Sequence, residues 1–99
     1  VATTRCAWVV SYDVADAKRR ARVARRLQAR GQRVQWSVFE LLCTEAELNA
    51  LLGSLRRPAT FDAETDSLRA WRICSDCQHV AQAHGRGPAT ARPGAPLVI

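Results

Sequence analysis

The segment from Trp8 to Arg33 constrains the fold most, because an apolar strand, a carboxylate and a basic helix follow one another in it. Residues 7–13 (AWVVSYD) are rich in β-branched and aromatic side chains, which favour a strand. Both alternating faces carry apolar bulk, as is typical of a central strand. The strand closes on Asp13, and a carboxylate at the end of a strand lies at the rim of the sheet, where α/β layouts commonly place chemistry.

The next element is predicted to be a helix over residues 16–30, with Asp16 as its N-cap and Gly31 as its stop. At about 100° per residue, one side of this helix is apolar and the other is basic. The apolar side comprises Ala17, Ala21, Val23, Ala24 and Leu27, and the basic side comprises Lys18, Arg19, Arg22, Arg25, Arg26 and Arg30. Arg20 breaks the pattern because it projects from the apolar side. It either extends past the edge of that side into solvent or points towards the carboxylate at the strand end.

The rest of the chain continues the alternation of strands and helices. Residues 33–43 (RVQWSVFELLC) predict one long strand or two strands joined by a bend near Ser37–Glu40. A second helix is predicted over residues 44–57, where a Thr-x-x-Glu capping box precedes leucines spaced for one buried face. Residues 67–73 (SLRAWRI) predict the last main strand, and residues 74–83 a short helical turn.

This order predicts an α+β, ferredoxin-like βαββαβ sandwich with an antiparallel sheet and two helices on one face. The other face then needs cover, and Trp8, Trp36 and Trp71 suggest that apolar side chains lie there. A homodimer packed sheet to sheet is the simplest arrangement. Residues 1–84 are expected to form this domain. Residues 85–99 are expected to be a Gly/Pro-rich linker with an apolar C-terminal strand that pairs with the other subunit.

The charge of the chain favours an anionic partner, and nucleic acid is the commonest one. The net charge is +6, and eight of the 15 basic residues fall between positions 17 and 39, where there is no Asp or Glu. The alternative is a solvated Arg-rich face that binds nothing. The residues expected to contact nucleic acid are Lys18, Arg19, Arg22, Arg25, Arg26, Arg30 and Arg33.

Hydropathy and the first residues of the chain predict a cytoplasmic protein. No apolar run approaches the roughly 20 residues of a membrane span, and the first residues show no signal-peptide pattern. The four cysteines are therefore expected to be reduced. Cys74 and Cys77 have CxxC spacing, but a zinc site would need His79 and His84 as the second pair, which is a loose fit. Partly buried thiols at a strand end are the favoured interpretation.

Three segments of the chain resemble one family, the CRISPR-associated Cas-two proteins, which are often named endoribonucleases. The segments are residues 12–23 (YDVADAKRRARV), 31–40 (GQRVQWSVFE) and 66–73 (DSLRAWRI), in the order and at the spacing of the family. The resemblance covers roughly residues 7–87. Trp36 is a departure, because members often carry a polar or smaller residue there.

The resemblance implies a homodimer in which Asp13 lies near the twofold axis and faces its own copy. Two facing carboxylates can hold one Mg²⁺ or Mn²⁺ through oxygen ligands and water. Family members described as nucleases use such a metal on a phosphodiester. The residues of this chain that match positions implicated in activity, or lie in the same motifs, are Tyr12, Asp13, Arg20, Arg22, Arg33, Ser37 and Phe39.

The resemblance implies two roles. One is a metal-dependent endonuclease on RNA or DNA, in which Asp13 is the metal ligand; the alternative is an aspartate that only caps the following turn. The other is the central dimer of a spacer-acquisition complex, which binds the Cas-one integrase and holds duplex DNA on its basic face. That role does not need Asp13. A toxin-like ribonuclease of similar fold is a third possibility, and a neighbouring antitoxin gene would distinguish it.

Overall fold

One four-stranded antiparallel sheet organises residues 4–86, the part of the chain described in this computed structural model. The strand order is β2-β3-β1-β4, in which β1 pairs with both β3 and β4. This confirms the predicted α+β, ferredoxin-like architecture. The elements are β1 Cys6–Asp13, α1 Ala17–Gln28, β2 Gln32–Gln35, β3 Val38–Cys43, α2 Glu45–Leu55, β4 Ser67–Ile73 and α3 Ser75–Val80.

The core lies between the sheet and the helices α1 and α2. Alternate residues of β1 point into it, and their partners on β3 point the same way, because paired residues share a face. Val10, for example, pairs with Phe39, and both are fully buried. The helices contribute Val23, Ala24, Leu27, Leu48, Leu51 and Leu55 to this core.

Helix α1 begins as predicted but is shorter than predicted. The carboxylate of Asp16 accepts the backbone N–H of Arg19 at 2.9 Å, which makes Asp16 the N-cap. The helix ends at Gln28. Ala17 and Ala21 are exposed rather than packed in the core, because they border a pocket at the end of β1.

Gly31 follows the helix, but it does not have the left-handed backbone of a glycine stop. Within residues 4–86, only Gly85 has a positive φ. A Cβ at Gly31 would collide with the carbonyl oxygen of Glu40 and would lie 2.8 Å from Cγ of Leu41. Glycine is therefore required here because the chain entering β2 passes very close to β3.

Of the two predictions for residues 33–43, the pair of strands is correct. The chain turns at Trp36 and Ser37, one residue earlier than the expected bend, and a bulge lies between Arg33 and Gln35. The turn is attached to β1, because the backbone N–H of Tyr12 donates to the carbonyl of Ser37 at 3.1 Å.

Helix α2 has the predicted capping box. The N–H of Glu47 donates to the hydroxyl of Thr44 at 3.1 Å, and the N–H of Thr44 donates to the Glu47 carboxylate at 2.9 Å. The helix ends at Leu55, two residues before the predicted end.

The three tryptophans do not share one face of the sheet, so that prediction was wrong for two of them. Trp8 points into the core and is only 9% exposed, with its indole N–H donating to the carbonyl of Cys43. Trp36 occupies the β2–β3 turn. Trp71 is on the face away from α1 and α2 and is 48% exposed. Helix α3 follows β4 and buries Gln78.

The sheet-to-sheet homodimer and the division at residue 84 stay predictions. The C-terminal strand lies outside the described residues. No helix in residues 4–86 is long and apolar enough to cross a membrane.

Candidate functional site

A pocket of about 440 Å³ opens at the C-terminal end of β1, between the start of α1 and the β2–β3 turn. Five of the seven residues predicted for activity line it, namely Tyr12, Asp13, Arg20, Arg33 and Ser37. Its other lining residues are Val14, Ala17, Ala21, Ala24 and Trp36. The structure therefore brings together most of a set that spans 28 positions of the chain, from Tyr12 to Phe39.

Asp13 is the carboxylate of this pocket. It is the last residue of β1, it pairs with Ser67 of β4, and its side chain is exposed. Within residues 4–86, no group of three or more His, Cys, Asp or Glu side chains is arranged to hold a metal ion. A hydrated Mg²⁺ needs only one or two carboxylates together with water. Asp13 is the only carboxylate among the residues that line the pocket, and its side chain fits such an ion as one ligand.

Arg33 is held against an aromatic pair beneath the pocket. The rings of Tyr12 and Phe39 stack with centroids 6.3 Å apart, and the guanidinium carbon of Arg33 lies 5.3 Å from the centroid of Phe39. A cation over a ring face at this distance is attracted to it. Nε of Arg33 is buried and has no hydrogen-bond partner in the described part of the chain. Phe39 is fully buried and supports Arg33 rather than lining the pocket.

Arg20 reaches the end of the strand. Its Nη1 donates to the carbonyl of Val14, the residue after Asp13, at 3.0 Å. Of the two predicted placements of Arg20, the structure therefore shows the one directed towards the strand end. One hydrogen bond leaves the other N–H groups of a guanidinium available to a ligand.

The other predicted cations of α1, together with Arg30 just after the helix, divide into those whose side chains are bonded and those whose side chains are not. Arg22 does not line the pocket, and its Nη1 donates to the carbonyl of Ala59 at 2.9 Å. Nη1 of Arg26 donates to the carbonyl of Ser54 at 3.0 Å. Arg19 is paired with a carboxylate. Three further basic residues make no hydrogen bond or ion pair through their side chains within residues 4–86. They are Lys18, Arg25 and Arg30.

Asp66 is the residue that sequence reasoning missed. Its buried carboxylate accepts the backbone N–H groups of Ala15 at 3.0 Å and Asp62 at 2.9 Å, the hydroxyl of Thr65, and the guanidinium of Arg19. The bond from Arg19, followed by these backbone donors, holds the pKa of Asp66 well below its usual range. Asp66 opens the DSLRAWRI segment, and that position was the available signal.

Both CxxC thiols are exposed, so the prediction of partly buried thiols was wrong for this pair. Cys74 caps α3, and the backbone N–H of Cys77 donates to Sγ of Cys74 at 3.4 Å. That bond, followed by a hydrogen bond from the thiol of Cys77, lowers the pKa of Cys74. The side-chain hydrogen bond with Cys74, followed by the charge of Cys74, raises the pKa of Cys77. The zinc alternative has no support in the described residues, where no cluster of metal ligands occurs.

The geometry and the motifs agree with one known family. The sequence model described as "CRISPR associated protein Cas2" matches residues 6–80. The chain belongs to the Cas2 family. This is the Cas-two family that its motifs resemble, and its members are CRISPR-associated proteins.

Individual Cas2 relatives cover most of the chain. The "CRISPR-associated endoribonuclease Cas2 3" of Synechocystis is 35% identical over 92% of this chain and 97% of its own length. The crystal structure of Streptococcus pyogenes Cas2 at pH 6.5 superposes with a TM-score of 0.69 at 33% identity, covering 80% of this chain and 99% of the other. A chain of a "Partial Cas6-RT-Cas1--Cas2 complex" shares the fold, with a TM-score of 0.69 at 24% identity over 95% and 99%.

Proposed function

We propose that this Cas2 chain acts in CRISPR adaptation and hydrolyses phosphodiester bonds of RNA or DNA at the pocket that contains Asp13. The observation that carries the proposal is the convergence of one exposed carboxylate with the guanidinium groups of Arg20 and Arg33 in that pocket. Guanidinium groups bind phosphate oxygens in paired hydrogen bonds. A relative of nearly equal length is named an endoribonuclease, which supports the reaction class.

The two arginines would hold the phosphate in different ways. Arg33 is supported by the ring of Phe39 and contributes a fixed positive charge at the wall of the pocket. Arg20 is oriented by its hydrogen bond to Val14 and presents its remaining N–H donors. Because both guanidinium groups are held before substrate arrives, little side-chain entropy is lost on binding. The negative charge that develops at the phosphate is then stabilised by positive groups that are already oriented.

Asp13 would hold the divalent cation, Mg²⁺ or Mn²⁺. When bound, this ion supplies Lewis acidity to the phosphate group. The second carboxylate would be Asp13 of another copy in the proposed homodimer. Ser37 and Tyr12 shape the wall beside the carboxylate, and the Tyr12 hydroxyl is already engaged as a donor to the carbonyl of Trp36 at 3.3 Å.

A non-catalytic scaffold is the second candidate function. It is favoured by the basic residues of α1 that have no carboxylate partner in residues 4–86, which leaves their charge available to a DNA backbone. In this role the homodimer would hold duplex DNA for a Cas1 integrase. This partner is proposed because a chain of similar fold was solved in a partial Cas6-RT-Cas1–Cas2 complex. Phosphate contacts of this kind weaken steeply with salt.

The deciding experiment measures cleavage and binding in parallel. Labelled single-stranded RNA and duplex DNA are incubated with Mg²⁺, with Mn²⁺ or with a chelator, using the wild type, Asp13→Asn and the matched control Glu64→Gln. Glu64 is exposed, does not line the pocket and loses the same charge. We expect metal-dependent cleavage by the wild type and Glu64→Gln, and none by Asp13→Asn, with DNA binding retained in all three. Binding without cleavage in every protein would favour the scaffold, and cleavage by Asp13→Asn would contradict the proposed site.

A further inference from the structure

Trp36 is the most exposed large apolar side chain of residues 4–86, with 87% of its surface accessible. It lies with Ser37 in the turn of the β2–β3 hairpin. Neither residue has a positive φ, so the backbone of this turn does not depend on Gly, Asn or Asp and accepts most side chains. Because so little of the indole is buried, its ring faces remain accessible to a ligand.

The backbone that carries the indole is fixed to the core. The hydroxyl of Tyr12 donates to the carbonyl of Trp36 at 3.3 Å, and the N–H of Tyr12 donates to the carbonyl of Ser37 at 3.1 Å. Tyr12 is itself buried and stacked on Phe39. The exposed ring is therefore presented from a rigid attachment, which reduces the entropy lost when a ligand packs against it.

The ring borders the same pocket as two cationic groups. Trp36, Arg20 and Arg33 all line it, beside Asp13. The volume of about 440 Å³ lies in the range of roughly 300–1,000 Å³ that small-ligand sites occupy. A flat aromatic surface next to guanidinium groups matches the two parts of a nucleotide, since the base stacks on an aromatic ring and the phosphate binds arginine.

We propose that Trp36 binds an unpaired nucleobase by stacking, while the adjoining phosphate lies towards Arg20 and Arg33. This inference rests on the proposed action on nucleic acid and adds to it a residue that contacts the base of a single strand of RNA or DNA. Bases inside a duplex are stacked on one another and do not offer a free face. The stacking is tolerant of sequence, because every base has a π surface.

The test compares single-stranded, abasic and duplex ligands by fluorescence anisotropy. The ligands are a labelled 12-nucleotide single strand, the same strand with abasic sites at all internal positions, and a blunt duplex. The proteins are the wild type, Trp36→Ala, Trp36→Phe and the control Val80→Ala, which removes an exposed apolar side chain of α3 outside the pocket. Chelator is present throughout, so that binding is measured without cleavage.

We expect Trp36→Ala to weaken binding of the base-containing single strand about ten-fold, within the range of roughly 5- to 150-fold that base stacking on one aromatic residue provides. Trp36→Phe should retain most of the affinity, and Val80→Ala all of it. The abasic strand and the duplex should bind Trp36→Ala and the wild type equally. The salt dependence should be unchanged, because stacking neutralises no phosphate.

Two results would overturn the stacking role while leaving the proposed function intact. In one, Trp36→Ala binds the base-containing strand as tightly as the wild type does. In the other, the affinity falls by the same factor on the abasic strand. If Trp36→Ala instead alters only self-association in sedimentation, the ring is a protein contact, which is a common use of exposed tryptophan, and the inference is wrong. A wild type that binds none of the three ligands would contradict the proposed function itself.

Discussion

The guanidinium of Arg19 binds the carboxylate of Asp66 side-on, with Nε 3.1 Å from Oδ2 and Nη2 3.2 Å from Oδ1. The same carboxylate accepts the N–H of Ala15, two residues after Asp13. One buried side chain therefore ties the start of β4 to the start of α1 and to the loop that follows the pocket carboxylate. This ion pair holds the backbone beside the candidate site in place. Its loss should therefore affect stability more than activity.

We expect Asp66→Asn to lower the urea midpoint at neutral pH. Because the pKa of Asp66 is lower in the folded protein than its ordinary value of 3.8, the carboxylate contributes stability above about pH 4, and this contribution is lost as the pH falls towards the folded-state pKa. The difference between the wild type and Asp66→Asn should therefore be constant from pH 7 to pH 5 and shrink below pH 4. Urea unfolding followed by circular dichroism at several pH values measures it.

Glu64→Gln is the control for this series, since it removes a carboxylate from an exposed position two residues away. It should leave the midpoint nearly unchanged. If Asp66→Asn showed the same difference from the wild type at pH 3 as at pH 7, the ionised carboxylate would not be the group that stabilises the fold.

The second prediction concerns two glycines in opposite surroundings. Gly31→Ala places a Cβ against the backbone of Glu40 and should lower the free energy of unfolding by about 1–3 kcal/mol, as overpacking does. Gly53→Ala, within α2, meets no atom within 4 Å and should raise it by about 0.5–1 kcal/mol through helix propensity. Chemical denaturation of the two variants tests both signs, and an equal change in both would contradict the argument from close approach.

The order of elements could be predicted from sequence because it depends on local signals. The capping box at Thr44, the N-cap at Asp16 and the alternating pattern of β1 each specify structure within a few residues. The hairpin turn at Trp36 was harder to place, because no turn dipeptide marks it and its position depends on bonds from Tyr12.

The polar residues that line the candidate site were predicted from the sequence, but the contacts that hold them in place were not. Asp13 and Arg20 were identified from the motif and from a break in helical periodicity, both of which are readable in sequence. Asp66 was not assigned a role, although it opens the DSLRAWRI segment, because the motif does not show that distant N–H groups converge on this carboxylate. Whether a cation of α1 is paired likewise depends on α2 and the loop after it, as the bond from Arg26 to Ser54 shows.

The third prediction concerns the basic residues that bind nucleic acid. Lys18 and Arg25 make no side-chain hydrogen bond or ion pair in the described region, so their charge is free to neutralise phosphate. In the double variant Lys18→Gln/Arg25→Gln, the slope of log affinity for duplex DNA against log salt should fall by about 0.9 for each phosphate that the protein no longer neutralises. Anisotropy titrations between low and moderate salt measure this slope.

Arg5→Gln supplies the matched control for that measurement. Arg5 is exposed and precedes β1, at the opposite end of that strand from Asp13, so its loss should leave the slope nearly unchanged. If Arg5→Gln reduced the slope as much per residue as the double variant does, the protein would respond to net charge alone and α1 would not be the binding face.

The fourth prediction concerns the thiols, which differ in pKa. Hydrogen bonds from Cys77, the backbone N–H first, lower the pKa of Cys74, whereas burial raises the pKa of Cys43. The thiolate is the reactive form, so iodoacetamide should alkylate Cys74 at a lower pH than Cys43, as followed by mass spectrometry of peptides over a pH series. In Cys77→Ala the backbone N–H remains, so most of the lowering at Cys74 should persist. If Cys74 reacted in this variant only at the pH where Cys43 does, the thiol of Cys77 and not its N–H would be the dominant cause.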